Sequence, residues 1–365
     1  MARAKVDKPF LWITLILVVF GFLIFSSASL GLLARGAANY SSVAFSQTVL
    51  GLFLGTIALF FATKVDYKIW KKSAFYILLG ALILNALVLV IGSEHGGARR
   101  WLDLGPVSFQ PAELLKIAVV IYFAAWAAGV KSKIQDFKYG FLPLLVLLGL
   151  SGVLLLLQPD TDNLAMILVA LVAMYIAAGG KWRHMLVLGV AGLVALVILV
   201  SFRPYLKQRV VTFFNPTADA QGAGYQLQQS LIAVGSGGMT GRGFGQSVQK
   251  FSFLPEPVGD SIFAVASEEF GFLGSSIIIL LFVAFATRGL KIASNVSDIF
   301  ARLVVVGIVI MITGQAFVNI GSMLGVLPLS GITLPFVSHG GTSLFFTLLG
   351  AGIVLSVSKH QKRTR

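Results

Sequence analysis

The chain has 365 residues, of which 57% are hydrophobic and only 12% charged, a balance foreign to soluble domains of this length. It contains no cysteine, which excludes disulfides, a thiol nucleophile and Cys-ligated metal, and its four histidines show no paired ligand spacing. The net charge of +14 would suit nucleic acid, but the basic residues are placed as membrane topology places them.

Ten apolar runs are predicted as transmembrane helices, near 9–28, 43–62, 75–92, 111–129, 141–157, 163–179, 185–201, 263–287, 301–324 and 339–358. Each approaches the ~20 residues that a helix needs to cross ~30 Å of hydrocarbon. The expected fold is therefore an all-α polytopic membrane protein, a single integral domain over 1–365. Its one large loop, residues 202–262, lies between the seventh and eighth helices. Nineteen of the 28 Lys and Arg residues fall in alternate short loops and at the two ends. The positive-inside rule then places both termini in the cytoplasm and the long loop outside.

In chain order, a basic start runs into Phe10–Phe25 and then Ser26-Ser27-Ala28-Ser29, which resembles a signal peptide. The run is long for that role and nine more follow, so it reads as a retained first helix. The fourth helix opens on Pro111, where the missing N–H costs nothing. It carries Glu113 and Lys116, three residues apart on one face and expected to form a structural ion pair. A charge at the bilayer centre costs ~2.5–3.5 kcal/mol on insertion scales, so Glu268 and Glu269 in the eighth helix also need partners. No internal repeat is visible, which weakens a repeat-built transporter.

Within the long loop, Tyr225 to Val234 predicts a short helix at the membrane surface, with Leu227, Leu231 and Val234 on one face. Gly235 to Gly245 holds six glycines but lacks Gly-Lys-Ser/Thr, so it is no P-loop. By composition it is a flexible connector. Gly325 to Gly341, with two prolines, is expected to fold back over the outer mouth, since irregular backbone at that depth must be buried or line a cavity.

Asp260 directly precedes the eighth apolar run and fits two readings, a helix N-cap and a catalytic carboxylate, with Glu256 a second candidate. Seven cations, Arg99, Arg100, Arg203, Lys207, Arg209, Arg242 and Lys250, lie on the side where the positive-inside rule discourages them. Around an aspartate they suggest a site for an anionic head group such as a diphosphate.

These residues resemble the SEDS family (shape, elongation, division and sporulation), the peptidoglycan glycosyltransferases typified by FtsW and RodA. The matching pieces run from Gly97-Ala-Arg-Arg-Trp101, Gln110-Pro-Ala-Glu-Leu-Leu-Lys116 and Gln158-Pro-Asp160 through Tyr225-Gln-Leu-Gln-Gln-Ser230 and Gly235-Ser-Gly-Gly238. Ser247-Val-Gln-Lys250, Leu254-Pro-Glu256, Asp260 with Glu268-Glu269, and Gly331 to Gly341 complete the set in family order. Departures include Thr161-Asp162-Asn163 for a usual Phe-Gly-Thr, Ala112 for a common Ser, Ser261 for a common Phe and His339 for a common Tyr.

The resemblance implies polymerisation of lipid II at the outer face of the bacterial cytoplasmic membrane, and the pattern is closer to FtsW, the division member, than to RodA. It maps the catalytic base onto Asp260, taking a proton from the 4-hydroxyl of an acceptor N-acetylglucosamine. That oxygen attacks C1 of N-acetylmuramic acid on the donor, displacing undecaprenyl diphosphate with inversion. One carboxylate suffices because diphosphate leaves without protonation. Arg209 and Lys250 are expected to clamp the diphosphate, with Arg99 and Arg100 behind them. Glu256, Gln229, Ser338, Gly340, Gly341 and Ser343 are expected to bind substrate. No cofactor is evident, although a divalent cation is possible. The implied partners are a class B penicillin-binding protein and membrane lipids, with no role for nucleic acid. A RodA-like elongation polymerase, a lipid II flippase and a non-catalytic scaffold stay open as alternatives.

Overall fold

A computed structural model describes residues 5–35, 37–95, 98–105, 107–215 and 222–362 of the chain. Gly97 of the arginine-rich motif and the terminal Arg3, Arg363 and Arg365 lie outside the described residues. Among those described, nine helices are long and apolar enough to cross a bilayer. They are α1 (Lys8–Arg35), α2 (Tyr40–Lys64), α3 (Tyr67–Ile91), α4 (Pro111–Val130), α5 (Leu142–Leu157 with a π-helical start at Phe137–Phe141) and, further on, α7 (Trp182–Phe202). The last three are α11 (Ile262–Ser294), α12 (Ile299–Met323) and α13 (Gly341–Ser358). The sixth predicted run is α6 (Thr161–Ala177), whose 17 residues span only about 26 Å. Of the ten expected spans, nine are thus long enough among the described residues, and the tenth is this shorter apolar helix.

The loop after α7 is more ordered than its composition suggests. It holds α8 (Pro204–Phe214, with proline at its start), α9 (Ala223–Ser236) and the single turn α10 (Gln249–Ser252). The all-α expectation also misses a small antiparallel sheet between α3 and α4: β1 (Ser93–His95), β2 (Ala98–Leu104) and β3 (Val107–Phe109), in order β1-β2-β3. Leu102 pairs with Phe109 and Asp103 with Ser108 across the turn at Gly105, whose φ of 72° suits glycine. Strands of three and seven residues are too short to stand out beside helices of twenty or more.

Burial grades from centre to edge. The best windows of α12 and α13 are 78% and 89% buried, whereas that of α7 is only 11% buried and shows its apolar face outward. At one end of the bundle the basic loops tie together: Arg288 makes two bonds to Asp7 at 2.9 and 2.8 Å, and the Asp7 N–H donates to Ser358. At the opposite end the sheet, the α8–α10 loop and residues 325–340 converge.

The glycine loop has a specific task. Helix α11 breaks at Gly271 (φ 64°, ψ −164°), which strands backbone groups at membrane depth. Residues of the glycine loop satisfy them. Phe272 and Leu273 donate to the carbonyls of Gly238 and Met239 at 2.8 and 3.1 Å, while Arg242 and Gly243 donate to Glu268 and Glu269 at 3.0 Å each. A Cβ at Gly241 would lie 2.1 Å from the Glu269 carbonyl oxygen, so the approach requires glycine. The connector reading is therefore corrected: this is packed backbone, bonded to a broken helix.

Candidate active site

A cavity of about 470 Å³ opens at the end of the bundle opposite the basic loops, within the size range of small-molecule sites. Asp260 lines it, in the turn before α11. Glu256, held at φ 44°, closes that turn by accepting the N–H groups of Gly259 and Ser261 at 3.0 and 3.2 Å. The N-cap residue of α11 is Ser261, with no side-chain cap bond, so Asp260 does not cap the helix. Its carboxylate instead accepts Gln226 Nε2 from α9 at 3.2 Å and the Ser261 hydroxyl at 3.4 Å. Asn319 of α12 donates to the carbonyls of Asp260 (2.7 Å) and Ile332 (2.8 Å), pinning the turn to the last loop. Ser338 Oγ donates to Gly259 O and the His339 N–H to Val258 O, both at 2.7 Å.

Enclosure dominates the chemistry of this carboxylate. Burial pushes Asp260 up to about 7, with Gln226 opposing, Glu256 adding a like charge and Arg209 opposing again. The side chain keeps a part-open face on the cavity. A carboxylate titrating near neutrality fits a general base. Asp160, also lining the cavity and almost fully buried, is raised by burial as well, against Arg100 and Asn163. The His339 ring, in contact with Phe25 at 6.2 Å, is pushed down to about 4 by burial and so stays neutral.

The expected residues divide. Asp260, Glu256, Arg100, Gly340, Gly341 and Ser343 line the cavity together. Arg100 also donates to the carbonyls of Gln158 (3.0 Å) and Pro159. Arg209 stands beside the cavity, engaged by both Asp162 oxygens at 3.2 and 3.1 Å, and Asp162 also accepts the Gly331 N–H at 3.1 Å. Four others do not line it. Gln229 is one turn past Gln226 on α9. Ser338 lies behind the wall, bonded to Gly259 and Leu334. Arg99 is an exposed strand residue 3.7 Å from Glu94. Lys250 is fully buried elsewhere, its ammonium on Glu269 (2.7 Å), Ser27 (2.9 Å) and Gly245 O (2.9 Å).

The intramembrane charges all have partners. Lys116 bonds Glu113 at 2.8 Å and Gln315 of α12 at 2.9 Å, joining two helices at the cavity wall. Glu268 takes the Ser247 hydroxyl (2.6 Å) and the N–H groups of Val248 and Gln249, which anchors α10. The lining is more acidic than the loop cations suggest: five carboxylates and Arg100 face the space. The sequence reading gives no site role to Gln226, Asp160, Asp162 or Gln315, although it singles out Asp162 as a departure from the family pattern. Gln226 was within reach, since it shares a glutamine-rich turn with Gln229.

A polytopic helical membrane protein with a carboxylate-centred cavity at one membrane face is the class this geometry defines. The chain belongs to the FtsW/RodA/SpoVE family, described as cell cycle proteins, which it matches over residues 8–363. It is 38% identical to stage V sporulation protein E of Bacillus subtilis over 99% of both chains. To a probable peptidoglycan glycosyltransferase FtsW of Idiomarina loihiensis it is 37% identical, over 98% of this chain and 88% of the relative. Among solved structures, it resembles a chain of a peptidoglycan synthase complex described for structural coordination of polymerization and crosslinking (TM-score 0.79, 30% identity, 98% and 99% covered). It also resembles the Thermus thermophilus rod shape determining protein RodA (TM-score 0.72, 28% identity, 98% of each chain).

Proposed function

We propose that this chain is a peptidoglycan glycosyltransferase that polymerises lipid II into β-1,4-linked glycan, with Asp260 as its general base. The supporting observation is the position of that carboxylate: enclosed, held by Gln226, and facing a cavity at the bundle end that the positive-inside rule assigns to the outside. Ten crossings, counting α6, return both termini to the cytoplasm. Asp260 takes the proton of the acceptor 4-hydroxyl, and the freed oxygen attacks C1 of the donor muramic acid. Undecaprenyl diphosphate departs with the bonding pair, so no second acid is required. Arg100 and Arg209 are the cations placed to receive it, and Asp162 must release Arg209 for that contact. A divalent cation travelling with the diphosphate suits the acidic lining, although among the described residues no three acidic or histidine side chains are grouped to hold one. Lys250 has no part in this scheme, because its donors are already bonded.

The resemblance to a synthase-complex chain supports a class B penicillin-binding protein as partner. The division-like pattern of Gly97-Ala-Arg-Arg-Trp101, Ser247-Val-Gln-Lys250 and Leu254-Pro-Glu256 supports septal synthesis. The test is to give labelled lipid II to the purified protein, alone and with a transpeptidase partner, and resolve products by length. Wild type should make polymer and Asp260→Ala none, with folding and partner binding intact. Undiminished polymer from that variant removes Asp260 as the base, and lipid scrambling without polymer favours a flippase.

A further inference from the structure

A second cavity, of about 310 Å³ and half-open, lies at the other end of the bundle, where α4 ends and α12 begins. Lys131, Ser132, Gln135 and Arg302 line it together with Ile134 and Ile299. No carboxylate lines it. Among the described residues neither cation belongs to a salt bridge. Arg302 buries its Nε–H with no acceptor, so no protein group holds that edge of the guanidinium. The nearest acid along α12, Asp298, is occupied in capping that helix, accepting the Ala301 N–H at 2.8 Å. Lys131 is held at φ 50°, an unfavourable conformation for a non-glycine residue.

The depth of the cleft indicates the occupant. Trp126, one turn before the end of α4, donates its indole N–H to Tyr139 O at 2.8 Å and is 36% exposed. Trp182 opens α7 and is 68% exposed. Such aromatic side chains mark the headgroup level of a bilayer. Lys133 and Lys138 lie 5.3 and 5.9 Å from the Tyr139 ring, two more cations against the one exposed acid of this segment, Asp136. We propose that this cleft binds the phosphate of an anionic phospholipid headgroup through Arg302 and Lys131, with the acyl chains leading away along the apolar surface of the bundle.

The experiment counts lipids on the full-length protein in detergent by native mass spectrometry, during titration with phosphatidylglycerol or with phosphatidylcholine of the same chains. Wild type should retain phosphatidylglycerol preferentially. Arg302→Gln and Lys131→Gln should each weaken retention about fivefold, and the pair about thirtyfold. Arg302→Lys keeps the charge and should retain lipid between wild type and Arg302→Gln, which carries the test if the glutamine variant fails to fold. Unchanged retention in Lys131→Gln combined with either Arg302 variant, or equal retention of the two lipids, overturns the proposal. Excess inorganic phosphate should leave the lipid bound. Its complete displacement by phosphate, or by a soluble polyglutamate peptide, overturns the lipid assignment in favour of a free anion or an acidic partner segment. None of these readouts depends on polymerisation.

Discussion

Lys250 and Asp162 show how one ion pair and another differ at the residue scale. The Lys250–Glu269 pair is buried on both sides, at 0% and 1% exposure, so removing one partner strands a charge. Lys250→Met or Glu269→Gln should each cost about 3–5 kcal/mol, read as a lower melting temperature in detergent. The double change Lys250→Met with Glu269→Met should recover much of that loss together with polymer synthesis. A double variant that folds but makes no polymer would return Lys250 to the diphosphate clamp. Asp162–Arg209 is about a quarter exposed on each side, so Asp162→Asn should change stability by less than about 1 kcal/mol. With Arg209 released, the KM for lipid II should fall several-fold, and a rise in KM would mean that Asp162 itself touches substrate. For Asp260, the folded-state pKa is raised above the unfolded value, so the unfolded chain binds fewer protons between about 4 and about 7. Its ionisation therefore lowers stability as pH rises through that window. Asp260→Asn should melt higher than wild type above pH about 7, by on the order of 2 kcal/mol, and a lower melting point there would contradict the burial argument.

At the scale of elements, the break in α11 and the loop that repairs it are the most specific feature. A Cβ at Gly271 would meet Gly241 N at 2.3 Å and Met239 O at 2.8 Å, and φ is already 64°. Gly271→Ala and Gly241→Ala should each destabilise by more than about 3 kcal/mol and lower the yield of folded protein. Normal melting of both would show that the loop does not pack there. The sequence displays the six glycines of this loop but not their purpose, because the partner is backbone some thirty residues away. Helix α9 was legible from its apolar spacing, yet Gln229 and Gln226 differ by a single turn, which composition cannot rank. The β1–β3 sheet escaped a reading tuned to twenty-residue periods. The partners of Glu268 and Glu269 were likewise out of reach, since Arg242 comes from the glycine loop, Lys250 from α10 and the Ser27 hydroxyl from α1.

For the whole molecule, the apolar runs and the alternation of basic loops made the membrane architecture readable, because hydrocarbon thickness and charge asymmetry act on composition directly. What stayed hidden was the convergence at one end: the turn at Asp260, α9, the last loop and the Gln110–Pro111 corner come from distant segments. The chain has no cysteine, so single introduced cysteines report sidedness without background. Phe253→Cys, at an exposed position of the cavity end, should react with a membrane-impermeant maleimide on intact cells, and exposed Lys72→Cys only after lysis. The reverse pattern would invert the topology and put the cavity in the cytoplasm.

The central claim is that one enclosed carboxylate takes the proton that starts glycosyl transfer, and the pH profile of polymerisation reads it most directly. With saturating lipid II, the rate should fall about tenfold per pH unit below about 7 and level off above it, because only ionised Asp260 accepts a proton. A rate that stays flat from pH about 5 to about 9 in protein that remains folded would contradict the account.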